Sequence, residues 1–132
     1  MQPFEIKWQD SEKSVLVWQY PDRYSPEGLA SAGKISVQML MTTPAPRVDV
    51  VMILNQSDLD GKSNFLNNLN SLIEQMPPKV SLFAIVAPRM YGRIMMTTLK
   101  ATKGGDLIRQ LRFAASTDEA VNLIQGMRVC PA

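Results

Sequence analysis

Hydrophobic and polar positions alternate at the start of the chain. In PFEIKW, Phe4, Ile6 and Trp8 fall on one side and Glu5 and Lys7 on the other, the two-residue period of a half-buried strand. The polar turn QDSEK separates this run from a second apolar one, SVLVWQY, so the two read as a hairpin. YSPEGL then opens a helix. Ser25 is placed to cap it, Pro26 suits the first helical position, and Glu27 suits the positive end of the dipole. The helix is expected to run to about Thr42 and to stop before Pro44 and Pro46.

Beyond it the pattern changes to long apolar runs divided by amphipathic ones. VDVVMIL (48–54) and VSLFAIVA (80–87) are nearly continuous apolar strands, as expected of strands covered on both faces. Between them Phe65, Leu66, Leu69, Leu72, Ile73 and Met76 recur at spacings of three and four, which predicts a helix ended by Pro77-Pro78. RMYGRIMMTTLKAT (89–102) predicts a third helix closed by Gly104-Gly105, and RQLRFAA a last short strand. STDEAVNLIQG opens with a Ser116–Glu119 capping box and is expected to end near Gly126. The order is ββαβαβαβα. Strands alternating with helices imply right-handed crossovers, hence an α/β fold. The expectation is one domain over 1–132, with a single mainly parallel sheet of about five strands and four helices. Strands 48–54 and 80–87 lie at its centre.

Composition removes several classes of chemistry. The chain has no histidine and one cysteine, Cys130, which excludes histidine-based triads, most zinc sites and an internal disulfide. No apolar run approaches the roughly 20 residues of a membrane span. The start lacks the basic and apolar regions of a signal peptide, so a cytoplasmic location is expected. Residues 1–86 carry seven bases and nine acids, whereas 87–132 carry seven bases and three acids. That mild excess falls short of the dense basic stripe of a nucleic-acid binder. No catalytic, cofactor or metal residue is assigned.

The stretch NQSDLDGKS (55–63) contains Gly-Lys-Ser between a strand and a helix, the outline of a phosphate-binding loop. The Walker pattern needs glycine where Gln56 stands, and Asp58 and Asp60 would repel the phosphates. A calcium loop fails as well, because Asn67 stands where the bidentate glutamate is required and a strand precedes the loop. Asp58 and Asp60 then solvate a loop, and Ser63 caps the following helix.

YSPEGL, VVMILNQSDLDGKSNFL and LKATKGGDLIRQLRFAASTDEAVNLI together carry a family resemblance over about residues 4–126. The chain resembles the STAS domains, the fold of bacterial anti-sigma-factor antagonists, and looks closest to the divergent SpoIIAA-like (STAS/SEC14-like) branch. In the antagonists a partner kinase phosphorylates a serine at the start of the second helix, within an Asp-Ser-Ser-Gly tetrad. The resemblance implies that Ser63 occupies that place, in Gly61-Lys62-Ser63-Asn64. Lys62 stands where the family has aspartate, and Asn64 and Phe65 where it has serine and glycine.

These readings predict a non-enzymatic regulatory module, anti-sigma-factor-antagonist-like, that binds a protein partner through Ser57, Asp58, Asp60, Lys62 and Ser63. The alternative is a module for an apolar small molecule or lipid, suggested by Met39, Met41, Met90, Met95 and Met96 on the first and third helices. Arg89 and Arg93, one helical turn apart, are candidate contacts for an anion. An enzyme would have to use carboxylates, lysines or tyrosines. Asp49 is the candidate carboxylate if it is buried within its apolar strand, but its expected place is the strand's beginning, near solvent. Trp8, Trp18 and Tyr20 mark either an aromatic edge for self-association or the core under the first helix, and the chain is expected as a monomer or homodimer.

Overall fold

The computed structural model describes residues 4–21, 25–54, 71–93 and 110–129. The hairpin pairs β1 (Glu5–Trp8) with β2 (Val15–Gln19) in antiparallel register, Glu5 opposite Gln19 and Trp8 opposite Leu16. Asp10 organises the turn between them. Its carboxylate accepts the Ser14 and Val15 amides at 2.9 and 3.1 Å and the Ser14 hydroxyl, while Lys13 takes a left-handed conformation (φ 57°). Helix α1 (Pro26–Thr42) begins as its sequence dictates, with Ser25 Oγ accepting the Gly28 amide at 3.0 Å. Ala32, Ser36 and Leu40, spaced by four, form its buried stripe.

β3 (Val48–Ile53) and β4 (Val80–Val86) are the central strands. Helical residues 71–75 (α2) precede β4, and helical residues 89–93 (α3) follow it. The chain continues through β5 (Leu111–Ala114) into α4 (Thr117–Val129). The architecture is α/β, a single five-stranded sheet in the order β1-β2-β3-β4-β5 with four helices among the described residues.

The sheet is mixed, which corrects the expectation of a mainly parallel one. β1 runs antiparallel to β2, and the β2–β3, β3–β4 and β4–β5 pairs are parallel. The reason is chain length: turn 9–14 can close a hairpin but is too short for a crossover, which takes about a dozen residues. The second helix, expected from Phe65 onward, is helical at 71–75 and stops before Pro77; its earlier residues lie outside the described ones. The third, expected over 89–102, is helical at 89–93, and its remainder likewise lies outside them.

Parallel neighbours in sequence order, joined by right-handed crossovers, require the connecting helices to share one face. Packing agrees. Leu16, Trp18, Val50, Met52, Phe83 and Ile85 form one core with Ala32 and Leu40 of α1 and Leu72 of α2, and Tyr91 of α3 packs at its margin. The opposite face carries smaller side chains (Val15, Val17, Val51, Ala84, Val86, Ala114), and α4 covers it with Ala120 and Ile124. Trp18 and Tyr20 are core residues, with the Phe4 ring edge-on to both at 5.6 and 5.0 Å. Trp8 is partly buried beside them.

Two close approaches fix the helices. A Cβ on Gly33 of α1 would stand 3.1 Å from Leu72 Cδ2, and one on Gly92 of α3 would stand 3.1 Å from Phe113 Cβ. The last helix does not end near Gly126 as expected but continues to Val129. A lone glycine inside a helix costs only about 1 kcal/mol, and contacts made beyond it by Arg128 offset that cost.

Candidate functional site

Polar chemistry concentrates at the two ends of the parallel strands. At the amino end, Asp49 is the second residue of β3 and is completely buried. This corrects its expected place near solvent. Alternation along β3 sends Val48, Val50 and Met52 to the larger core and Asp49 to the α4 face, where the sheet register shifts between Val48 and Val50. There β4 fits one extra residue against β3, since Val48 faces Val80 but Val50 faces Phe83. Such a bulge leaves an amide without a ladder partner. Asp49 Oδ1 accepts that amide, from Leu82, at 3.0 Å.

The other carboxylate oxygen is held by the last turn of α4. Arg128 Nε and Nη2 lie 2.9 and 2.8 Å from Asp49 Oδ2. The same guanidinium donates Nη1 to Ser14 Oγ at 2.9 Å and Nη2 to the Ser14 carbonyl at 2.8 Å. Arg47 adds a second positive charge, with Nε 3.4 Å from Oδ2 and Nη2 3.5 Å from Oδ1. Arg47 Nε meets the carboxylate by charge, being buried without a hydrogen bond among the described residues. Ser14 in turn donates its hydroxyl to Asp10. Burial by itself would raise the Asp10 carboxyl pKa. The hydrogen bonds from the Ser14 hydroxyl and the Ser14 and Val15 amides outweigh it and hold the group below its ordinary value.

One chain of contacts therefore runs from the hairpin turn through β3 and the β4 bulge to α4. Each Asp49 oxygen and the Ser14 hydroxyl are engaged within it, so its chemistry is that of a clamp. Lys79 makes a smaller clamp nearby, donating Nζ to the carbonyls of Thr43 and Ala45 at 3.0 and 3.4 Å. Thr43 Oγ1 donates to the Lys13 carbonyl at 2.7 Å, tying the end of α1 to the hairpin turn.

At the carboxyl end the charges are exposed. Arg89 opens α3 directly after β4, and its Nη2 lies 3.5 Å from Glu119 Oε2 in the first turn of α4. Glu119 Oε2 also accepts the Ala115 amide at 3.1 Å, and Ser116 Oγ accepts the Glu119 amide at 3.1 Å, completing the expected capping motif. A guanidinium at a helix start opposes the dipole, and Glu119 compensates for it. The side chains are 73% and 38% exposed, so the pair contributes at most about 1 kcal/mol. The structure thus gives Arg89 a carboxylate of its own chain, and Arg93 is exposed one turn on. Ser57, Asp58, Asp60, Lys62 and Ser63 lie outside the described residues, as do Met95 and Met96. Met41 and Met90 are exposed, whereas Met39 packs against the core.

Sequence reasoning missed the Asp10–Ser14–Arg128–Asp49 chain. Two signals point to it: an aspartate inside a valine-rich strand, and the spacing of Ala120, Ile124 and Arg128, which extends the buried stripe of α4 by one basic residue. Among the described residues no group of three or more His, Cys, Asp or Glu could hold a metal, and no helix is long and apolar enough to cross a membrane. Compared with family models, curated proteins and solved structures, the chain matches none.

Proposed function

We propose that this α/β protein is a non-enzymatic regulatory module that binds a protein partner in the manner of the STAS-type antagonists. The observation that carries the proposal is that β3 ends at the carboxyl side of the sheet, where open α/β sheets present their contact residues; residues 57–63 come soon after it in sequence and lie outside the described residues. The amino end, by contrast, is occupied by the Asp49–Arg128 clamp. The element order and the single edge hairpin support the resemblance to STAS domains. Fold alone admits many functions, so the loop carries the functional claim.

The test is recovery of a partner from cell extract by the tagged protein and by its Ser63→Ala and Ser63→Asp variants. Ser63→Asp is expected to weaken the recovered interaction, because it introduces charge at the contact, and Ser63→Ala to keep it. Equal retention of every partner by both variants would remove the regulatory role from Ser63.

One observation favours an apolar-ligand module as a second reading. Trp18 Nε1 and Ser36 Oγ are buried on the larger-core side without hydrogen-bond partners among the described residues. Orphan donors of this kind call for a polar guest, either a water or the polar end of a bound molecule. Native mass spectrometry of the purified protein discriminates: a retained adduct of a few hundred daltons supports the ligand, and a bare chain mass removes it.

A further inference from the structure

β1 is an edge strand, with β2 on one side and, among the described residues, no strand on the other. Which of its backbone groups face that open side follows from the hairpin. Gln9 donates its amide to the Val15 carbonyl at 2.8 Å, and Gln9–Val15 continues the register that pairs Lys7 with Val17 and Glu5 with Gln19. In an antiparallel ladder, hydrogen-bonded pairs alternate with non-hydrogen-bonded ones. Residues 5, 7 and 9 therefore turn their amides and carbonyls toward β2, and residues 4, 6 and 8 turn theirs outward. The side chains divide likewise. Phe4, Ile6 and Trp8 lie partly buried on the helix-covered face, while Glu5 and Lys7 are exposed on the other.

We propose that this edge pairs with the same edge of a second copy, antiparallel about a two-fold axis through Ile6. Three facts select that register. It sets Ile6 opposite Ile6, so their outward-facing backbone groups meet as a hydrogen-bonded pair at the centre of the contact. It sets Glu5 opposite the second copy's Lys7, and Lys7 opposite its Glu5, in the non-hydrogen-bonded positions where opposed side chains come closest. Each neighbouring register of the same backbone parity instead sets Glu5 against Glu5 or Lys7 against Lys7, which is unfavourable. On the apolar face the chosen register puts Phe4 beside Trp8 and Ile6 beside Ile6, a pairing suited to the surface they leave partly uncovered. Isologous pairing of this kind closes at two copies. With four residues per strand the contact is smaller than a standard stable interface, so a micromolar, salt-sensitive dimer is expected.

Charge reversal tests the register, because both side chains are exposed and their replacement leaves the fold intact, as circular dichroism would report. Sedimentation velocity over a micromolar concentration series is the readout. The natural chain should form dimers and nothing larger. Lys7→Glu sets carboxylates against each other at both symmetry-related positions, and Glu5→Lys sets ammonium groups there. Each should raise the dimer dissociation constant about tenfold or more. An equimolar mixture of the two variants should recover dimers, because each strand then meets its charge complement, and the double variant Glu5→Lys with Lys7→Glu should recover them alone. A monomeric natural chain, single variants that dimerise unchanged, or a mixture that stays monomeric would each overturn the proposal. Open-ended assemblies would do so too, since they require a heterologous contact.

Discussion

Arg128→Met removes the guanidinium that joins α4 to the hairpin turn and to β3 while keeping an unbranched apolar stem. Asp49 would then remain completely buried, with its Oδ2 facing only Arg47 at 3.4 Å. Removing one partner of a buried pair typically costs about 3–5 kcal/mol, since the other charge is left without compensation. Two features lower the figure here. Arg128 is 27% exposed, so the pair is already partly solvated, and Arg47 retains some of the attraction. Against them, the Ser14 carbonyl and hydroxyl each lose a donor. The expected loss is about 3 kcal/mol, or a fall in Tm of about 10 °C for a domain of this size.

Asp49→Ala should cost a similar amount by a different route. The two arginines can swing toward water, but the Leu82 amide at the bulge loses its acceptor, Asp49 Oδ1, worth about 1–3 kcal/mol when buried. Urea denaturation of the two single variants and the double variant closes a cycle. The double variant should be less destabilised than the sum of the singles by about 2 kcal/mol, because the second substitution removes a group that the first had already stranded. Additive losses, or an Arg128→Met variant within about 0.5 kcal/mol of the natural chain, would refute a coupled clamp.

A matched pair of glycines tests packing against propensity. Gly92→Ala should destabilise by about 1–2 kcal/mol, since its Cβ would press on Phe113 Cβ and Cγ at 3.1 and 3.3 Å; Gly126→Ala, with open space around it inside α4, should stabilise by about 0.5–1 kcal/mol. Thermal melts read both. Ser25→Ala should lower stability by about 1 kcal/mol in the same assay, through loss of the cap on the Gly28 amide. Asp10 predicts the acid limb. Its folded pKa lies below the ordinary 3.8, so the stability it supplies is complete above that value and is lost as pH falls through the lower folded one. An acid titration should show this loss in the natural chain, and Asp10→Asn should flatten that part of the curve.

Local signals were legible where local chemistry decides. Ser25 and Pro26 start α1 where they predict, Pro77 follows the end of α2, and Ser116 with Glu119 caps α4. Two valine-rich runs became the central parallel strands. What the sequence hid is set by register. Asp49 looks like a residue at a strand's wet end until the bulge and α4 bury it, and neither can be read from neighbouring residues. Gly126 carries a stop signal that Arg128 overrides from two residues beyond, through contacts with positions 14 and 49. The hairpin read at the start of the chain is the antiparallel β1–β2 pair, and that pair makes the sheet mixed where a mainly parallel one was expected. For the candidate loop at 57–63, only its attachment to β3 is defined by the described residues.

The clamp also bears on the open edge of the sheet. Ser14 and Asp10 belong to the turn that joins β1 to β2, and Arg128 holds that turn through the Ser14 carbonyl and hydroxyl. A two-stranded ribbon on its own is only marginally stable, so a four-residue edge strand depends on its turn for a fixed register and direction. Anchoring the turn to β3 and α4 gives β1 both, and a strand already ordered loses less entropy when it pairs. The side chains at the amino end of the sheet thus act on a surface that they do not touch. Arg128→Met should loosen the β1 edge in hydrogen exchange by more than it loosens β4. The Ile6 and Trp8 amides face away from β2, so the Glu5 and Lys7 amides, which bond to it, report the change. Faster exchange at those two positions, by more than the fall at Ile85 that the lower global stability brings, is the expected pattern; uniform loss across the sheet would mean that the arginine stabilises the domain without holding the hairpin.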